Sequence, residues 1–220
     1  MATTTDFSAL RMKMVDGQIR TTDVTSHPIL DAFIAVHRED FVPGRFKPVA
    51  YIDNDVELAP GRYLMAPSPL AKMVQVAEIG SGDHVLDLGA GTGYVTALLA
   101  HIAGTVIGLE SDADLAVQAK ANVDAIGLSN ATIVTGDLKA GCPSKAPYDV
   151  ILVNGAVEAI PDAIFSQLKQ GGRLVAVVGR GLSSGAHIFV REGNSHSERF
   201  VFNASVSMLP GFEKVAEFQF

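Results

Sequence analysis

Cysteine is almost missing from this chain. Cys142 is the only one in 220 residues, which excludes an intrachain disulfide and a cysteine-based zinc cluster. The histidines at 27, 37, 84, 101, 187 and 196 show no HExxH or comparable spacing, so no metal is assigned. Runs of lysine or arginine are absent too, and the net charge is -7. That balance argues against a general nucleic-acid or anionic-membrane surface, and neither partner is expected. No stretch approaches the ~20 apolar residues of a membrane span. The opening "MATTTDFSALRMKMVDGQIR" lacks the apolar centre of a signal peptide. A cytoplasmic monomer is the expectation. There is no internal repeat, no low-complexity tract and no Walker A lysine.

What is present is enough apolar content, 48%, for one large domain with a real core. The pattern divides the chain into an N-terminal helical and loop segment (1–65), an α/β core (66–180) and a set of C-terminal strands (181–220). Residues 1–48 carry two amphipathic helical stretches. The second follows "TSHP" and lines up Ile29, Leu30, Phe33, Ile34 and Val36. Residues 49–65 read as extended and irregular. "PGRYLMAPSP" (60–69) is fenced by prolines and a glycine and reads as a shaped loop, neither helix nor strand. "SPLAKMVQVAEIG" then predicts a helix with Leu70, Met73, Val74 and Ala77 on its inner stripe.

From residue 84 strands and helices alternate. "HVLDLG", "TVIGLE", "ATIVTGD", "YDVILVNGA" and "GGRLVAVVG" are apolar strands, with helices at "YVTALLAHIA", "ADLAVQAKANVDAIG" and "DAIFSQLK". Alternation of this kind means βαβ units, a mostly parallel doubly wound sheet and a Rossmann-like α/β fold. "AHIFVRE", "RFVFNASVSM" and "GFEKVAEFQF" suggest antiparallel strands finishing the sheet.

"VLDLGAGTGY" (85–94) carries the strongest chemistry. A strand ends at Leu88, glycines stand at 89, 91 and 93, and a helix opens near Tyr94. Missing side chains let backbone approach a ligand at the carboxyl edge of the sheet. A dinucleotide fingerprint needs its third glycine where Tyr94 stands, so that class is excluded. Asp87 places a carboxylate just before the loop, which suits a cationic amino acid better than a pyrophosphate. Glu110 ends the next strand, 21 residues after Gly89, where an acid can accept hydrogen bonds from both ribose hydroxyls. Asp137 ends the third strand, at the place for an adenine amine. Any one of these acids alone reads as a helix cap or a solvated loop residue. Together with GxGxG they describe a site for a nucleoside with a cationic tail, S-adenosyl-L-methionine. The set expected to hold it is Asp87, Gly89, Ala90, Gly91, Gly93, Glu110, Asp137, Leu138 and Asn154.

With those residues in view the chain resembles the protein-L-isoaspartate O-methyltransferase family over nearly its whole length. The segments that carry the likeness are "MVDGQIR" (14–20), "DAFIAVHREDFVP" (31–43), "AYIDNDVEL" (50–58), "HVLDLGAGTGY" (84–94) and "APYDVILVNGAVEAIPDAIFSQLKQGGRLVAVVG" (146–179). Their co-occurrence and order are more specific than the glycine loop, which most methyltransferases of this class I fold share. The resemblance implies methyl transfer to the carboxylate of an isomerised aspartyl residue, with a damaged protein or peptide, or another carboxylate acceptor, as partner. It also implies that residues 61–67 are the substrate loop. Here this chain departs from the family pattern. The family reads Gly-Gln-Thr-Ile-Ser-Gln-Pro, and this chain reads Gly61-Arg62-Tyr63-Leu64-Met65-Ala66-Pro67. The family's serine falls at Met65, which has no donor. Arg62 and Tyr63 are the groups that remain for pairing with a substrate carboxylate and for donating a hydrogen bond. The same departure leaves open a methyltransferase with another acceptor, or a cofactor-binding protein impaired in catalysis.

"GLSSG" (181–185) matches a nucleophile elbow at Ser183, but that motif needs a following helix. "AHIFVRE" alternates like a strand, so a turn is expected instead.

Overall fold

The computed structural model of the chain describes residues 5–214. The N-terminal segment is built from α1 (Phe7–Met14), α2 (His27–Ala35), the strands β1 (Val56–Ala59) and β2 (Arg62–Leu64), and α3 (Pro67–Val76). Asp6 caps α1 by accepting from the Ala9 amide at 3.0 Å. Ile29, Leu30, Phe33 and Val36 are buried, as are all four stripe residues of α3. Hydrophobic periodicity therefore placed these helices correctly.

The core follows as β3 (His84–Leu88), α4 (Tyr94–Ala100), β4 (Thr105–Glu110), α5 (Ala113–Ile126), β5 (Ala131–Thr135), β6 (Tyr148–Val157), α6 (Asp162–Phe165), β7 (Leu168–Val178), β8 (Gly185–Glu192) and β9 (Ser195–Asn203). The seven later strands form one sheet in the order β5-β4-β3-β6-β7-β8-β9. Pairing is parallel through β7, then antiparallel for β8 and β9. Successive strand residues face opposite sides of a sheet. Val85, Val106, Val150 and Val175 accordingly join one core cluster, with α2, α3 and α4. Leu86, Leu88, Ile107, Ile151 and Leu174 join a second. That second face is covered by Ile164 of the short α6 and by irregular chain, including Leu138, Leu209 and Phe212.

Three expectations are corrected. Residues 62–64 are a strand, paired with β1 in a hairpin that turns at Gly61 (φ 74°). The helix expected at "DAIFSQLK" is the four-residue α6, and Leu168 already belongs to β7. Gln167 diverts the chain there. Its amide donates to the carbonyls of Ala140 and Ala163 at 2.8 Å each and accepts from Cys142 N at 2.9 Å. Its own carbonyl starts the ladder by accepting from Tyr148 N. At the C-terminus, residues 204–207 and 211–214 are not strand, and the rest of "GFEKVAEFQF" lies outside the described residues. The "GLSSG" stretch is a short 3-10 turn leading into β8. Among the described residues no helix is long and apolar enough to cross a membrane.

Candidate functional site

The chain winds from β3 outward to β4 and β5, then returns to place β6 on the other side of β3. Open α/β sheets bind ligands beyond the strand carboxyl ends at such a reversal. The glycine loop lies there. Gly89, Gly91 and Gly93 have φ of 93°, 57° and 91°, backbone that other residues rarely adopt. At Gly93 a β-carbon would also sit 3.1 Å from the Ala119 carbonyl, so this glycine lets α4 pack against α5.

Asp87 is fully buried beneath the loop. Its Oδ2 accepts from Thr96 Oγ1 at 2.6 Å, while Oδ1 has no partner. Burial pushes its carboxyl up to about 7. The Thr96 hydrogen bond opposes that rise, Glu110 adds to it, and Arg62 draws it back. Glu110, also fully buried, accepts from the amides of Gly91 (2.7 Å), Ser111 (2.8 Å) and Asp112 (2.9 Å). These three donors come from two loops, so the carboxylate pins the glycine loop to the end of β4. Ala90, Leu138 and Asn154 are buried, and Asn154 Oδ1 has no partner. Asp137 is exposed and accepts from Lys139 N at 3.0 Å.

The chain itself fills the crevice between these groups. Arg62 was expected to face an acceptor. It turns inward instead, buried to 7% exposure, and grips Glu110 through Nη1–Oε1 at 2.5 Å and Nη2–Oε2 at 2.6 Å. Beside it Leu58 of β1 packs on the loop, where a β-carbon on Gly91 would lie 2.9 Å from its Cδ1. The third piece comes from residues 207–212. β6 runs past the end of β3, and Met208 bridges Ala156 in the parallel sense on that vacated side. Ala156 N donates to Ser207 O at 2.9 Å, and Leu209 N donates to Ala156 O at 2.8 Å. Leu209 thereby lies over the glycine loop, 2.8 Å from where a β-carbon on Gly89 would stand. β6 bulges here against β7, and Gly155 (φ 149°) has no room for a side chain beside Leu209. The cavity left among Arg62, Asn154, Gly155 and Leu209 is about 10 Å³, the space of roughly one water.

The other loop residues face elsewhere. Tyr63 is 37% exposed and Met65 is 2% exposed. Met65 is locked through its carbonyl, which accepts from Arg38 Nη2 at 2.8 Å, while Arg38 Nε holds Ala50 O at 2.7 Å. Asp55 ties the two closing segments together by accepting from Ala66 N at 2.8 Å and Ser207 N at 2.6 Å. On the outer side of the loop is an open groove of about 670 Å³ lined by Asp53, Asp55, Tyr63, Ser68, Lys72 and Ser205 among others. Sequence reasoning missed Leu58, Leu209 and Arg38. Leu209 sits in "SMLPGF", where a short apolar run before Pro-Gly signals a turn but gives no hint of its destination.

The sheet order, the glycine loop at the reversal point and the acid at the end of β4 define a class I methyltransferase fold. Comparison with known proteins gives the family. Residues 10–209 match the model of the protein-L-isoaspartate(D-aspartate) O-methyltransferase family. A protein-L-isoaspartate O-methyltransferase of Koribacter versatilis is 39% identical over 175 residues, 80% of this chain and 79% of that one. One of Methylorubrum populi is 37% identical over 192 residues, 87% and 89% of the two chains. A solved protein-L-isoaspartate O-methyltransferase superposes with a TM-score of 0.78 at 27% identity, covering 91% of this chain and 66% of that one. A Plasmodium falciparum structure in complex with S-adenosyl-L-homocysteine, 17% identical over 94% of this chain and 99% of its own, shares the fold with a TM-score of 0.77. The chain belongs to the protein-L-isoaspartate O-methyltransferase family.

Proposed function

We propose that the chain transfers the methyl group of S-adenosyl-L-methionine to the side-chain carboxylate of isoaspartyl residues in damaged proteins. One observation carries the reading. The family match spans residues 10–209 and so takes in the strand-end acids and the loop 61–67 together. The reaction asks little of the protein's own acid–base chemistry. A carboxylate acceptor has an ordinary pKa near 4 and is ionised at neutral pH. No general base is required, and the chain's contribution is alignment and exclusion of water. The outer groove supplies an approach for an extended peptide. Tyr63 offers it a phenol, and Lys72, the cation among the lining residues, stands 4.3 Å from the Phe202 ring centre.

Asp87, Glu110 and Asp137 remain the acids suited to the ammonium, ribose and adenine of the cofactor, with Gly89, Ala90, Gly91, Gly93, Leu138 and Asn154 around them. As folded, however, the crevice does not admit it. Both oxygens of Glu110 are taken by Arg62, Leu209 covers Gly89, and about 10 Å³ of space remains. A cofactor of this size needs a pocket on the order of several hundred Å³. We also propose that the chain acts as a cytoplasmic monomer, and that it does not bind nucleic acid; its net charge of -7 supports the second of these.

The test is incubation with methyl-labelled S-adenosyl-L-methionine and an isoaspartyl peptide beside its normal aspartyl twin. Ester on the first peptide alone is the expected result. Label on neither, or equally on both, would refute the acceptor.

A further inference from the structure

We infer that Arg62 is the crevice's own ligand: it holds Glu110 in place of the cofactor's vicinal diol, and with Leu58 and Leu209 forms a stopper that cofactor must displace. The inference rests on the methyltransferase reading above and adds how access to that site is governed.

Glu110 stands at the centre of the closure. Its carboxylate already accepts three backbone amides, which orient it without Arg62. Each of its two oxygens also accepts one N–H donor from the Arg62 guanidinium. A bidentate fork is among the strong hydrogen-bond arrangements of a carboxylate, and two adjacent hydroxyls would also present a pair of donors. The two cannot be held at once. The closure extends beyond this pair, since Leu209 covers the first glycine, Leu58 the second, and Asp55 staples the Arg62 strand's exit at Ala66 to Ser207. The stopper is thus one connected unit with two arms, the β1–β2 hairpin and residues 207–212. Apparent affinity for a ligand is the intrinsic affinity multiplied by the fraction of molecules that are open. Weakening either arm raises that fraction.

Isothermal titration of the full chain with S-adenosyl-L-homocysteine tests this. Arg62→Gln, which restores the residue type of the family loop, is expected to bind at least about 10-fold more tightly than the unaltered chain. Leu209→Ala weakens the second arm and is expected to act in the same direction, so the test survives if Arg62→Gln fails to fold. Equal affinity in all three proteins overturns the stopper and leaves the methyltransferase reading standing. No binding by any of them, with folding verified by circular dichroism, overturns both. Hydrogen exchange gives a readout independent of affinity. Adding S-adenosyl-L-homocysteine to the unaltered chain should speed exchange at the Ala66, Ser207 and Leu209 amides, because their partners are lost on opening. Slower exchange at these amides overturns the proposal.

Discussion

Asp87 makes the stability of this protein depend on pH, and Asp87→Asn isolates the effect. The carboxyl is fully buried, one oxygen is unpartnered, and burial lifts it from 3.8 to about 7. Between those values the folded chain holds a proton that the unfolded chain has released. Stability therefore falls as pH rises from about 4 to about 7, and is level above. The full rise corresponds to ~4 kcal/mol, at ~1.4 kcal/mol for each tenfold change in proton affinity. Asparagine keeps an acceptor for Thr96 and carries no charge, so the variant lacks this slope. Urea unfolding of both proteins at pH 4.5, 6 and 8 cancels every other titrating group. The expected result is a difference in favour of Asp87→Asn that grows by ~3 kcal/mol from pH 4.5 to pH 8, the part of the full rise that this window spans. A constant difference, or one that shrinks, would show that Asp87 titrates like a solvated acid and that the crevice floor is wet.

Other consequences can be checked by the same unfolding measurement. Gly108→Ala places a β-carbon 2.5 Å from Thr96 Oγ1 and 2.7 Å from Ile133 Cδ1, and should cost ~1–3 kcal/mol by overpacking. Arg38→Met removes a fully buried guanidinium that holds the Ala50 and Met65 carbonyls, and leaving those acceptors bare should cost ~2–4 kcal/mol. Met65→Ser restores the family's hydroxyl but exchanges a buried thioether for a polar group in the core. A loss of ~2 kcal/mol is expected, with no gain in methyl transfer in the labelled-peptide assay while Arg62 still holds Glu110. Gln167→Ala deletes three hydrogen bonds that turn the chain into β7 and should lower stability by ~1–3 kcal/mol.

The parallel core was legible in the sequence because its strands are nearly continuous apolar runs and helices such as α3 and α5 carry one buried stripe, both set by local geometry. Glu110 could be placed at a strand end by counting 21 residues from Gly89. What Glu110 holds could not be counted, because Arg62 lies 48 residues away and arrives through the hairpin turn at Gly61. Arg62 to Leu64 reads as loop because prolines fence it, yet pairing with Val56 to Ala59 makes it a strand. Three residues with such neighbours have no periodicity to read. Leu209 is a similar case. Its role depends on β6 outrunning β3 and leaving backbone groups at Ala156 that need partners, which is a property of the assembled sheet. Tertiary pairing also overrode the helical pattern at "DAIFSQLK", where Gln167 satisfies three backbone groups that a longer helix would leave bare.

A crystal structure grown with S-adenosyl-L-homocysteine tests the exchange of Arg62 for cofactor at Glu110 in one step. The nucleoside's ribose is expected on Glu110, with Arg62 withdrawn from the crevice and Leu209 lifted from Gly89. S-adenosyl-L-homocysteine bound while Arg62 still grips both oxygens of Glu110 would contradict that exchange.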